Sequence, residues 1–146
     1  WYDGKLLTSQ ARERLEYIYP RLAPSEITGT PALAVTVWRD DVNDIATRAI
    51  QAIDPRPEGI FCVDLKENRN GVPVPTEINA GRFFTTSYFF TRAGSNMPYF
   101  YVRLGLGDEI PDLPKFNALP AGLYWIRHID CPAVLKRKEE LRCPVT

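Results

Sequence analysis

The chain has 146 residues, in which 18 Lys plus Arg are balanced by 18 Asp plus Glu, and 45% of the residues are hydrophobic. Zero formal charge offers no strong attraction to nucleic acid or an anionic membrane, and no apolar run reaches the roughly 18 residues that cross a bilayer. Three cysteines without Cys-x-x-Cys spacing exclude a zinc site and a disulfide framework, and they suit a reducing cytoplasm.

The length is that of one domain, residues 1–146, with a core of its own. Trp1 to Leu7 reads as a strand end, an Asp3-Gly4 turn and a second strand. Because the chain starts at Trp1 inside that pattern, it is expected to be cut from a longer polypeptide. From Thr8 to Tyr19 the alternation of Leu15, Tyr17 and Tyr19 predicts a strand, with Gln10, Arg12 and Arg14 together on one face. Such a row of donors suits phosphate or carboxylate; equally, it is a solvated face partly neutralised by Glu13 and Glu16.

Pro20 to Pro31 is punctuated as a loop, and Thr28-Gly29-Thr30 within it lacks the lysine and spacing of a P-loop. Ala32 to Trp38 is a near-continuous apolar strand. Asp40-Asp41 then starts a helix whose stripe is Val42, Ile45, Ala46, Ala49, Ile50 and Ile53, and Asp54-Pro55 ends it. That stripe is expected to lie on the sheet containing the next hairpin.

The hairpin spans Gly59 to Arg82. Asn70-Gly71 predicts a two-residue type I′ turn, which pairs Leu65 with Thr76 and Asp64 with Glu77, whereas a four-residue loop over Asn68 to Gly71 would put Pro75 opposite Asp64. Val63, Leu65, Val74, Thr76 and Ile78 then form one face, and Asp64, Glu77 and Asn79 the other. Directly opposed carboxylates repel by up to about 1 kcal/mol. A hard divalent cation would relieve this; the other reading is a solvated acidic pair. Ala80-Gly81 is either a plain turn or a place where backbone passes close to phosphate.

Phe83 to Thr91 is dense in aromatics and reads as a core helix, with base stacking as the alternative that neutral charge opposes. Asn96 and Pro98 start another helix that runs through Leu104, and Gly105 to Pro120 is irregular. Leu123 to Ile129 is a last strand carrying His128, the sole histidine, which reads as a packed or half-exposed strand residue. Pro132 is expected to open a short charged helix, Ala133 to Leu141, with Lys136 to Glu140 as its solvated face.

The pattern of Asp64, twelve intervening residues and Glu77-Ile78-Asn79, continued by GRFFTTSYFF and AGSNMPY, resembles the ATP-grasp superfamily and its carbamoyl-phosphate-synthase-like members over most of the chain. The resemblance implies the C-terminal lobe of that fold, an α+β arrangement of mostly antiparallel sheet with helices packed on it. It implies Asp64, Glu77 and Asn79 as ligands for Mg²⁺ or Mn²⁺ with ATP, and Arg82 toward phosphate or an acyl phosphate. It also implies Gln10, Arg12 and Arg14 toward nucleotide or substrate. The activity implied is a carbon–nitrogen ligase joining a small carboxylate to an amine. The family's other lobe brings a glycine-rich loop with a lysine, which has no recognisable counterpart here. No nucleic acid or membrane partner is expected, a homo-oligomer is compatible with the sequence, and a non-catalytic binding or assembly module is the alternative.

Overall fold

The computed structural model describes residues 1–19, 24, 30–84, 86–128 and 131–141. Among them the predicted α+β fold is observed, with elements β1 (Arg12–Tyr17), β2 (Pro31–Thr36), α1 (Asp40–Ile53), β3 (Phe61–Glu67), β4 (Pro73–Ala80), α2 (Ser87–Ala93), α3 (Met97–Gly105), β5 (Leu123–His128) and β6 (Cys131–Arg137). Four strands form one antiparallel sheet in the order β1-β2-β5-β6, while β3 and β4 form a separate two-stranded ribbon.

β2 lies inside the sheet because its sequence PALAVT offers apolar side chains to both faces; Pro31, Ala34, Val35 and Thr36 are buried. The core gathers on one face of it. Ala34, Phe89, Phe90, Leu119 and Trp125 pack together, with Phe84, Met97 and Leu135 against them. The rings of Phe89 and Trp125 stack at 5.5 Å and 11°. Each such aromatic contributes on the order of 2–3 kcal/mol by leaving water. The core residues of α2 are therefore Phe89 and Phe90, whereas Tyr88, which also fits a helical spacing, is exposed. Gly94 ends α2 with φ of 111°, a conformation that an L side chain resists. Asn96 then caps α3 by accepting from Tyr99 N at 3.2 Å.

α1 occupies the predicted range and packs on β4 and β3, but its buried residues are Asn43 and Ile50, while Ile53 is 72% exposed. Asn43 is buried because it is a hub. Ser9 Oγ donates to its Oδ1 at 2.6 Å, and its Nδ2 donates to Asn117 Oδ1 at 2.9 Å and to Arg39 O at 3.1 Å. Asn117 Nδ2 in turn donates to Asp40 Oδ1 at 2.7 Å. This network ties the N-terminal segment, α1 and the irregular 105–120 stretch together, each bond standing in for one to water.

Three expectations need correction or placement. The helix expected over Ala133 to Leu141 is β6 followed by a single 3₁₀ turn, Lys138–Glu140. The edge of β5 decides this: Trp125 pairs with Leu135 and Ile126 with Val134, so tertiary pairing overrides local helical preference. At the N-terminus Asp3 (φ 50°) and Gly4 (φ 73°) do form the turn, closed by reciprocal Tyr2 and Lys5 bonds of 3.0 Å, but only as an isolated bridge. The loop from Pro20 to Pro31, including Thr28 and Gly29, lies almost entirely outside the described residues. No described helix is long and apolar enough to cross a membrane.

Candidate functional site

The ribbon brings Asp64 directly opposite Glu77, and Cys62 opposite Asn79, so the four share one face. The route to that pairing differs from the expected one. The loop holds three residues, Arg69 to Gly71, with Gly71 N donating to Asn68 O at 3.0 Å and Asn68 N to Val72 O at 2.9 Å. Gly71 has φ of 72° while Asn70 keeps a negative φ, which makes this a type I turn followed by a left-handed glycine rather than type I′. Asn68 selects it, because its Oδ1 accepts from both Asn70 N (2.9 Å) and Val72 N (3.1 Å).

Left alone, that loop would misalign the carboxylates by one residue. A bulge between Asp64 and Leu65 restores them: Leu65 pairs with Pro75 instead of Thr76, and Thr76 Oγ1 donates to Asp64 O at 3.0 Å. The extra residue also reverses the alternation toward the turn. Pro73 is buried and Val74 is 44% exposed, so the two prolines take the places expected for Val74 and Thr76 beside Val63 and Leu65.

β1 faces this ribbon across a cleft of about 1270 Å³ lined by Gln10, Arg12, Arg14, Asp64, Glu77 and Phe84 among others. Arg12 and Arg14 line it half-buried, being two residues apart on one strand, while Glu13 lines it as an exposed residue and Leu15 is exposed. Gln10 precedes the strand and serves the backbone: its Nε2 donates to Ala11 O at 2.9 Å and its Oε1 accepts from Leu119 N at 3.0 Å. Arg14 Nη2 donates to Asp64 Oδ1 in a short ion pair between side chains that are 21% and 27% exposed.

Arg12 has a different environment. Its Nη1 donates to Thr86 Oγ1 at 2.7 Å, and its guanidinium lies 4.4 Å from the centre of the Phe84 ring. Burial, with Arg14 as a second cause, lowers its pKa to about 10. Burial also raises the Cys62 thiol above its usual value, with Asp64 adding to the shift. Arg82 stands apart from the cleft wall: its Nε (3.2 Å) and Nη2 (2.5 Å) both donate to Asn79 Oδ1.

The structure thus gathers Arg12, Arg14, Asp64 and Glu77 in one cleft, leaves the Asn79–Arg82 pair beyond its lining and assigns Gln10 to holding backbone. The donors fit a hard divalent ion in kind, since Asp64 and Glu77 face each other and Asn79 shares their face. Among the described residues no group of three or more His, Cys, Asp or Glu side chains converges, so such an ion would need the Asn79 oxygen or oxygens from its substrate. Sequence reasoning did not single out Thr86 and Phe84 as the supports of Arg12; they lie 74 and 72 positions away, and no local pattern joins them. No family model, curated protein or solved structure matches this chain.

Proposed function

We propose that this chain supplies the metal- and phosphate-binding part of an ATP-dependent carbon–nitrogen ligase that acts through an acyl phosphate. The reading is supported chiefly by the direct pairing of Asp64 with Glu77 at the wall of a cleft that also holds Arg12 and Arg14. Asp64, Glu77 and Asn79 would hold Mg²⁺ or Mn²⁺. When bound, the ion neutralises charge on the ATP phosphates during phosphoryl transfer. The chain's own groups orient the reactants: Arg12 and Arg14 offer donors to oxyanions, and the aromatic wall limits water. Arg82 holds the Asn79 oxygen in place and is the candidate for a role toward phosphate. The substrates are ATP and a small carboxylate, a further nucleotide-binding lobe completes the site, and the setting is cytoplasmic.

Calorimetric titration with Mg–ATP and with ATP in EDTA, using wild type and the double variant Asp64→Asn, Glu77→Gln, tests this. Metal-dependent binding that the double variant loses is the expected result. Equal heats for both proteins would refute the reading. The second reading, a non-catalytic binding or assembly module, draws support from Arg14 and Arg82 already engaging two of the three proposed ligands. It predicts a double variant that is more stable than wild type and indifferent to nucleotide.

A further inference from the structure

We propose that Arg12 is the oxyanion-binding residue of the cleft, holding a carboxylate or phosphate group of the ligand by charge-assisted hydrogen bonds. The proposal deepens the reading above and rests on it only for the ligand's identity.

Three donors were candidates on the segment from Gln10 to Arg14, and the structure separates them. Gln10 is engaged by Ala11 O and Leu119 N, and Arg14 by Asp64. Arg12 is left. Among the described residues it joins no ion pair, and its hydrogen bond to Thr86 accounts for one of five N–H donors. Its electrostatic neighbours are Arg14 and Arg127, which repel it, the thiol of Cys62, which burial keeps protonated, and Asp64, which Arg14 already grips. Burying a cation among cations is unfavourable unless an anion arrives to share the space. The pKa of Arg12 is lowered first by burial and then by Arg14.

The guanidinium is also held ready. Phe84 covers it at 4.4 Å and is itself fixed by Phe90 at 4.7 Å, while Thr86, 1% exposed, anchors Nη1. A planar fork immobilised on an aromatic surface loses little freedom when it binds, which favours two-point contact with an oxyanion. Arg12 lines the cleft beside Asp64, so an anion on Arg12 lies next to the place proposed for the metal.

The test uses the purified chain in EDTA, titrated with inorganic phosphate, malonate or chloride at matched ionic strength. Readouts are the thermal midpoint and the Nε–Hε NMR resonance of Arg12. Phosphate or malonate is expected to raise the midpoint and shift that resonance, and chloride to do neither. Arg12→Gln should weaken binding about tenfold or more, with Arg12→Lys recovering part of it. If Arg12→Gln does not fold, Thr86→Val, which removes only the anchor, should weaken binding several-fold. Preference for malonate identifies an acid substrate, and preference for phosphate identifies the nucleotide end. A wild-type Arg12 resonance indifferent to both anions, or undiminished binding by Arg12→Gln or, should that variant not fold, by Thr86→Val, overturns the proposal. Since metal is absent, anion binding without metal-dependent nucleotide binding would keep the Arg12 site and remove the ligase reading; the converse would remove the Arg12 site alone.

Discussion

Arg14 on β1 donates through Nη2 to Asp64 Oδ1 on β3, joining the four-stranded sheet to the acidic ribbon across 50 positions of sequence. The contact does two things at once. It offsets the repulsion between Asp64 and the opposed Glu77, and it bridges the two sheets that line the cleft. A divalent ion bound at Asp64 would relieve the same repulsion, so in the proposed function it would compete with Arg14 for that carboxylate.

Arg14→Gln keeps hydrogen-bonding capacity but removes the charge. Its unfolding free energy in EDTA should fall by about 1–3 kcal/mol, the range for a charge-assisted bond lost from a half-buried site. Added Mg²⁺ should restore part of it, and should stabilise the variant more than wild type. Urea unfolding with and without Mg²⁺ measures both, and a variant as stable as wild type in EDTA would show that the pair carries no weight.

Asn43 is a polar residue inside the face of α1 that periodicity assigned to hydrocarbon. Asn43→Leu should destabilise the fold by about 2–3 kcal/mol despite being more apolar, because Ser9 Oγ loses its acceptor and Asn117 Oδ1 keeps only the longer bond from Ala11 N. Equilibrium denaturation checks this; a stabilised variant would mean that water replaces the lost bonds.

Much of the fold was legible in the sequence, for identifiable reasons. α1 has a strong stripe with acidic residues at its start, β2 is apolar throughout, and Asn96 with Pro98 announces α3. The tail was misread because Ala133 to Leu141 has helix-forming composition, and the feature that makes it a strand is the unpaired edge of β5. In the hairpin, Asn70-Gly71 was the visible signal, but Asn68 chose the turn and Thr76 absorbed the offset. The opposition of Asp64 and Glu77 therefore came out as expected through two compensating departures. The link from Arg14 to Asp64 was not legible, since ion pairs between sheets leave no local pattern.

Gly71 tests the revised loop. At φ of 72° with nothing within 4 Å of an added Cβ, Gly71→Ala should cost about 1 kcal/mol from backbone strain alone, and Gly71→Asn appreciably less. A type I′ turn would show a comparable penalty for replacing Asn70 by Ala, whereas the observed turn predicts little there. Thermal melts of the three variants separate the geometries.

Cys62 should be a slow nucleophile. Its pKa lies above the usual 9.0 because burial, and then Asp64, disfavour the thiolate. The folded state thus holds the proton more tightly than the unfolded one, so this contribution to stability is complete below pH 9.0 and is lost as pH rises through the folded value. Alkylation at pH 8, read by mass spectrometry on the Cys62 peptide, should run slower in native protein than in urea. Equal rates would contradict the assignment.

Paramagnetic broadening by Mn²⁺ tests the proposed metal site directly. With substoichiometric Mn²⁺ and ATP, amide and side-chain signals of residues 62–65 and 76–79 should disappear first, and Asp64→Asn with Glu77→Gln should abolish the effect. Broadening centred elsewhere, or spread evenly over exposed carboxylates such as Asp44 and Asp112, would contradict a metal site on the ribbon.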